Sequence, residues 1–385
     1  MMPTQSPPQN PAASILFYFS SMTDPRIERC RLHPIENILT ISLLAMLCGF
    51  GDFKGFEIFG NMKKGWLSGF LDLKNGIPSH DTFGRFYAAL SPEEFGRCFM
   101  KWTSAFADNA DGRFIALDGK TLRGSFDSAT QTSAIHMVSA FVQSNRLVLG
   151  QLATETKSNE ITAIPRLLGL LDINGATVTI DAMGTQREIV KEIVEGGADY
   201  ILTLKENQKT MCDEVSELLG PIADGQKANF PVAQFETVEK GHGRIETRRA
   251  FVTSYVDWFE NLADWESLNS FGVIDRIREN VLDGTTTFER TFFISSHAGT
   301  DAEAFLKAVR SHWGVENQLH WCLDVQFGED DSRIRKKNAA ENVSTIRRTA
   351  LNLLHQNRTP VGLNKKRLMA CSSETFLLSL LRKNS

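Results

Sequence analysis

The sequence predicts an α/β fold: a mixed sheet flanked by helices, with a helical segment before it and a β-rich stretch set into it. Three observations carry this. Residues 23–105 keep a helical pattern, three consecutive strand-like runs begin at 113, and residues 208–299 show hairpin-punctuated alternation. Between 160 and 207 the pattern runs helix, strand, helix, strand. Three strands followed by that alternation is the order of an RNase H-like core, in which the first and fourth strands are neighbours.

Taken in order, residues 1–20 read as a disordered leader, with no basic segment before an apolar core and hence no signal peptide. Residues 21–110 form a helical N-terminal domain and a candidate DNA-binding one. Its run ILTISLLAMLCGF is shorter than the roughly 20 residues a membrane span needs, so it reads as a buried helix. Ser79 is placed to cap a helix from Thr82 to Leu90. That helix suits either the recognition helix of a helix-turn-helix or a core helix built on Phe83, Phe86, Tyr87 and Leu90.

Residues 111–207 hold the first part of the core: strands RFIALD, AIHMVSAFV, RLVLGQLATE, ATVTIDA and ADYILTLKEN, with helices EITAIPRLLGLLD and TQREIVKEIVEGG. Residues 208–299 are the β-rich insertion, two hairpins turning at Gly241-His242-Gly243 and Asp283-Gly284. Residues 300–357 return to helix as the second part of the core, and 358–385 read as a basic tail.

Composition is that of a globular chain, 42% hydrophobic and 23% charged. Six scattered cysteines without a CxxC pair argue against a disulfide framework and suit a cytoplasmic protein, nucleoid-associated when on DNA. The net charge is −4, yet residues 333–385 carry twelve Lys and Arg against two acids. Such asymmetry fits a basic element that meets phosphates, and equally a solvated helix face balancing an acidic body.

Three acids stand out. Asp118 closes an apolar strand ahead of Gly-Lys-Thr, and Asp181 ends the run TVTID. Glu316 lies inside a helix-like run, with His312 and His320 four residues to either side on one face. A P-loop at Asp118 is excluded, because the first glycine would fall at Phe114. Carboxylates at strand ends point into the crevice where open α/β sheets bind ligands, and carboxylate oxygens suit hard divalent cations. An Asp-Gly turn at 118, a helix cap at 181 and a solvated helix at 316 are the structural alternatives. A zinc site is disfavoured, since histidines eight residues apart do not readily share one ion.

The motifs IALDGKTLRGS, TIDAMGTQ, YILTLKENQ, HGRIETR and HWGVENQLHWCLDVQFGEDDSR resemble those of the H-repeat-associated transposases of bacterial insertion sequences, a branch of the DDE recombinases. The stretch from DPR through HPIENIL to NGIPSHDTFGRF is similar to the helical segment associated with that family. The resemblance implies a catalytic and metal-binding triad of Asp118, Asp181 and Glu316, two Mg²⁺ ions with Mn²⁺ able to substitute, and cleavage and strand transfer of DNA. It implies double-stranded DNA as partner, at terminal inverted repeats and at a target, a homodimer on that DNA, and no membrane. A catalytically inactive or domesticated DNA-binding protein of the same fold is the alternative.

One departure bears on the site. Related enzymes carry Tyr, Arg and Lys at −7, −4 and +7 from the glutamate, where this chain has Val309, His312 and Leu323. Phosphate contacts are therefore expected from Arg310, His312, Asn317 and His320 beside Glu316, from Lys120 and Arg123 beside Asp118, and from Lys205. Further contacts are expected from His242, Arg244 and Arg248 on the first hairpin, and from Arg333 and Arg335.

Overall fold

The computed structural model describes residues 17–19, 22–104, 113–126, 133–154, 160–241 and 243–381. Residues 1–16 and 20 of the expected leader, His242, and the last four residues of the tail lie outside that set. The principal elements in chain order are α1 (Ile35–Leu47), α2 (Phe53–Met62), α3 (His80–Ala89), α4 (Pro92–Ser104), β1 (Phe114–Thr121), β2 (His136–Val142) and β3 (Leu147–Thr154). There follow α5 (Glu160–Leu168), β4 (Thr177–Ile180), α6 (Arg187–Glu195), β5 (Asp199–Leu204) and α7 (Lys209–Ala223). The two hairpins supply β6 (Ala233–Gly241), β7 (Arg244–Thr253), β8 (Ser270–Asn280) and β9 (Thr286–Ser295). Helices α8 (Ala302–Val315), α9 (Ala339–Gln356), α10 (Leu363–Ser372) and α11 (Glu374–Leu380) complete the chain.

The nine strands hydrogen-bond in the order β3-β2-β1-β4-β5-β9-β8-β7-β6. The sheet is mixed and RNase H-like: β2 and β3 are antiparallel, while β1, β4 and β5 run parallel through Phe114↔Thr177 and Thr177↔Asp199. Strands β2 and β4 are buried at every position. Covered faces on both sides are why these central runs read as continuous apolar sequence rather than alternation. The β-rich stretch does not close on itself, for β9 pairs antiparallel with β5 and carries the same sheet outward.

The chain forms two compact units. One comprises residues 1–108, 119–159 and 316–385. Its centre is α9, of which fifteen residues are buried even though several are polar. Its buried asparagines bond to backbone of neighbouring elements. Asn352 receives from Val148 N and donates to Val148 O, both at 2.9 Å, and Asn342 donates to Tyr87 O and Leu90 O. Helix α1 is apolar all round and buries eleven residues, as a helix enclosed on every side must. Ser79 caps α3 by accepting from Thr82 N, and Phe83, Phe86 and Tyr87 are fully buried, so α3 is a core helix on that face.

The expected basic tail is instead two helices. Lys366 Nζ donates to Leu354 O, and Arg367 donates to Met46 O and lies 4.3 Å from the Phe327 ring centre. Arg347 and Arg348 are buried as well. Four of the twelve cations counted over 333–385 are therefore part of the packing.

The other unit comprises residues 109–118 and 160–315. Helix α8 packs on the sheet through Phe305, Leu306 and Val309 against Ile201, Val252, Ile274 and Phe293. Gly272 makes room, because a Cβ there would sit 2.5 Å from the Phe305 ring. Among the described residues, no helix is long and apolar enough to cross a membrane.

Candidate active site

Strand register brings the first two acids together. The last paired positions of the parallel strands β1 and β4 are Leu117 and Ile180, so Asp118 and Asp181 stand next to one another, each one residue further on. Both are half-buried. Ile115–Leu117 and Thr177–Ile180 are buried, and the acid that follows each run is only half-buried.

Helix α8 runs beside β4. His312, in its last turn, places Nδ1 3.2 Å from Thr179 Oγ1. Burial lowers the pKa of this imidazole, while the charge of Asp181 pulls the other way. His312 is thus a neutral ring that feels the Asp181 carboxylate. At Glu316–His320 the helix widens into a π-helical stretch, and a second one covers Cys322–Gln326. Such i→i+5 turns are uncommon and concentrate at functional sites.

Glu316 is exposed and His320, four residues on, is half-buried, both on the first π-helical stretch. Carboxylate oxygens suit Mg²⁺ or Mn²⁺, and an imidazole nitrogen is more at home on Mn²⁺ than on Mg²⁺. Burial lowers the His320 pKa to about 4, with Arg348 and Lys120 adding to the effect, so its ring is neutral.

Lys120 stands two residues beyond Asp118 on β1 and was expected beside a phosphate. It is buried, and its Nζ lies 2.7 Å from carboxylate oxygens of both Asp324 and Asp330. Its charge is committed to tying the segment after Glu316 to the strand. Behind it, Glu329 and Arg348 form a wholly buried pair at 2.8 Å, and Ser344 Oγ donates to the same carboxylate at 3.1 Å. Burial pushes the Glu329 carboxyl up, but Arg348, Arg347 and Lys120 hold it below its usual range.

The remaining expected residues divide by exposure. Arg123, Lys205, Arg244, Asn317 and Arg333 are exposed. Arg335 is half-buried and donates from Nε to Gly124 O at 3.0 Å. Arg310 is paired with Glu239 at 2.7 Å. Arg248 corrects the expectation of a DNA contact, because it is buried and held by Glu239 and Glu246 at 3.2 and 2.8 Å. His242 lies outside the described residues. Val309 and Leu323 are buried apolar side chains, so two of the three positions that depart from related enzymes serve the core here. The sequence reading passed over Asp324 and Asp330. Their signal was the acid-rich LDVQFGEDDSR run after the glutamate, which made sense only once Lys120 was seen to face it.

Two family models match the chain. One, described as DDE_Tnp_1-associated, covers residues 16–103, and the other, the transposase DDE domain, covers residues 109–353. The chain is similar to "Putative transposase YncI" of Escherichia coli O157:H7, with 39% identity over 372 residues and 95% of each chain covered. It is also similar to "H repeat-associated putative transposase YhhI" of Escherichia coli (strain K12), at 38% over 355 residues, or 91% of this chain and 92% of that one. A solved piggyBac transposase synaptic complex with hairpin DNA aligns with 97% of this chain and 78% of its own, at 11% identity and a TM-score of 0.39.

Proposed function

Because this chain belongs to the transposase DDE domain family, we propose that it is an active transposase, which cuts DNA at the ends of its element and joins the freed ends to target DNA. The observation that supports this best is the adjacency of Asp118 and Asp181 just beyond the last paired positions of two parallel strands. DNA is the partner, engaged as double-stranded ends and as target, and a homodimer holds two ends at once.

On this reading Asp118, Asp181 and Glu316 would hold the divalent ions, two Mg²⁺ with Mn²⁺ as substitute. When bound, those ions supply charge stabilisation to an in-line displacement at phosphorus and acidify the attacking oxygen. In the first reaction a water oxygen loses a proton and bonds to phosphorus, the P–O3′ bond breaks, and the departing 3′ oxygen takes up a proton to become a 3′-OH. In the second that 3′-OH loses its proton and bonds to a target phosphorus, the target P–O3′ bond breaks, and the target's 3′ oxygen takes up a proton to leave as a free 3′-OH. The protein's own part is geometric and electrostatic. The strands set the two aspartates side by side, Lys120 anchors the glutamate-bearing segment to β1, and the exposed cations align the phosphates.

The test is cleavage and joining of duplexes carrying the sequences that flank this gene, with Mg²⁺ or Mn²⁺. Asp118→Asn, Asp181→Asn and Glu316→Gln should each lower cleavage by at least roughly a thousandfold while DNA affinity stays within a few fold. Chelation should abolish cleavage, and Mn²⁺ should restore it. A variant that still cuts removes its residue from the triad. A wild-type protein that binds these duplexes but never cuts them would mark a non-catalytic DNA-binding protein.

A further inference from the structure

Within the unit that contains α3 and α9, a groove of about 780 Å³ opens between α3 and the run Arg333–Lys337. Phe53 and Ile334 line it, with Arg85, Arg333, Lys336 and Lys337 among the walls. All four of those cations are exposed. Among the described residues none of them is engaged in an ion pair. One acid, Asp81, shares the lining. Lys120, Arg248, Arg276, Arg290 and Arg310 each meet a carboxylate. The groove instead gathers four exposed cations that do not.

The run is also held in a fixed shape. A Cβ on Gly124 would lie 2.2 Å from Ser332 O and 2.7 Å from Asp330 O, so the two backbones touch there. Arg335 Nε reaches back to Gly124 O, and Asn338 donates to Leu90 O at 3.0 Å. Lys337 sits at φ 48, a left-handed conformation that a lysine adopts only where its surroundings impose it. Rigid presentation lowers the ordering cost when the cations engage a ligand.

We propose that this groove seats the sugar–phosphate backbone of duplex DNA, with Arg85 of α3 on one wall and Arg333, Lys336 and Lys337 on the other. The inference rests on the transposase reading for the identity of its polyanion. It assigns phosphate contacts, which position the duplex without reading its sequence. Helix α3 thereby keeps one face in the core and sets Arg85 of the other against the backbone.

The experiment is the salt dependence of duplex affinity for the full chain, measured by fluorescence anisotropy with its own flanking sequence and with an unrelated duplex. Each phosphate contact contributes about −0.9 to the slope of log K against log salt. Arg333→Gln/Lys336→Gln should make the slope less steep by about 1.8 and weaken both duplexes alike, by roughly sixtyfold near 0.1 M salt. Arg85→Gln with Lys337→Gln should do the same. Arg97→Gln/Lys101→Gln, exposed cations on α4 outside the groove, should leave the slope unchanged. Thermal melts matching the wild type exclude misfolding, which is not expected at exposed positions. Wild-type slope and affinity in both groove variants would overturn the assignment while leaving the transposase reading intact. Failure of the wild-type chain to bind either duplex would overturn both.

Discussion

Arg348 Nη1 donates to Glu329 Oε1 at 2.8 Å with both side chains wholly out of solvent. Each is tolerable there only because of the other. Glu329→Gln or Arg348→Met leaves a buried charge without its partner, and each should cost about 3–5 kcal/mol. The double variant Glu329→Gln/Arg348→Met should cost less than the sum of the two. Denaturant unfolding of the four proteins checks this, and strictly additive losses would mean that the pair is not coupled.

Lys120 joins β1 to Asp324 and Asp330 and so sets where the glutamate-bearing segment lies. Lys120→Met should lower cleavage by roughly 10–100-fold, the usual cost of removing a group that orients metal ligands. It should also raise the Mn²⁺ concentration needed for half-maximal cleavage, while the DNA affinity of the chelated protein changes little. An affinity loss with unaltered metal dependence would return Lys120 to the role of a phosphate contact.

Acid stability should depend on His355. Burial lowers its pKa to about 4, with Arg146 and Lys366 adding to the effect. The unfolded chain therefore binds more protons than the folded one between the ordinary value near 6.5 and about 4. Its stabilising contribution is complete above 6.5 and is lost as pH falls through 4. Glu341, raised to about 7 by burial, acts oppositely: its contribution is complete below 4.5 and is lost as pH rises through 7. His355→Gln should thus change the stability difference from wild type by at most about 1.4 kcal/mol per pH unit between 6.5 and 4. Thermal melts across that range test it, and parallel profiles for the two proteins would contradict it.

Much of the core was legible because its signals are local. The run TVTID shows where β4 ends, whereas β1 continues past the acid of FIALD to Thr121. The strand order that sets Asp118 beside Asp181 followed from element sequence and connection rules, and the register agrees. Less legible was the fate of each cation. An arginine in HGRIETRR reads alike whether it faces water or, as Arg248 does, lies buried between Glu239 and Glu246. The same holds for Lys366 and Arg367, whose charge suggested a tail and whose contacts make them core.

Periodicity and short motifs already specified the element types, the mixed sheet and the three acids, since these depend on neighbours within a turn or a strand. Partners far apart along the chain required the folded molecule: Lys120 with Asp330, and Glu329 with Arg348. The difference is one of range. Backbone preference and hydrophobic alternation act over a few residues, whereas Coulomb attraction and desolvation act through space and leave no mark on sequence spacing.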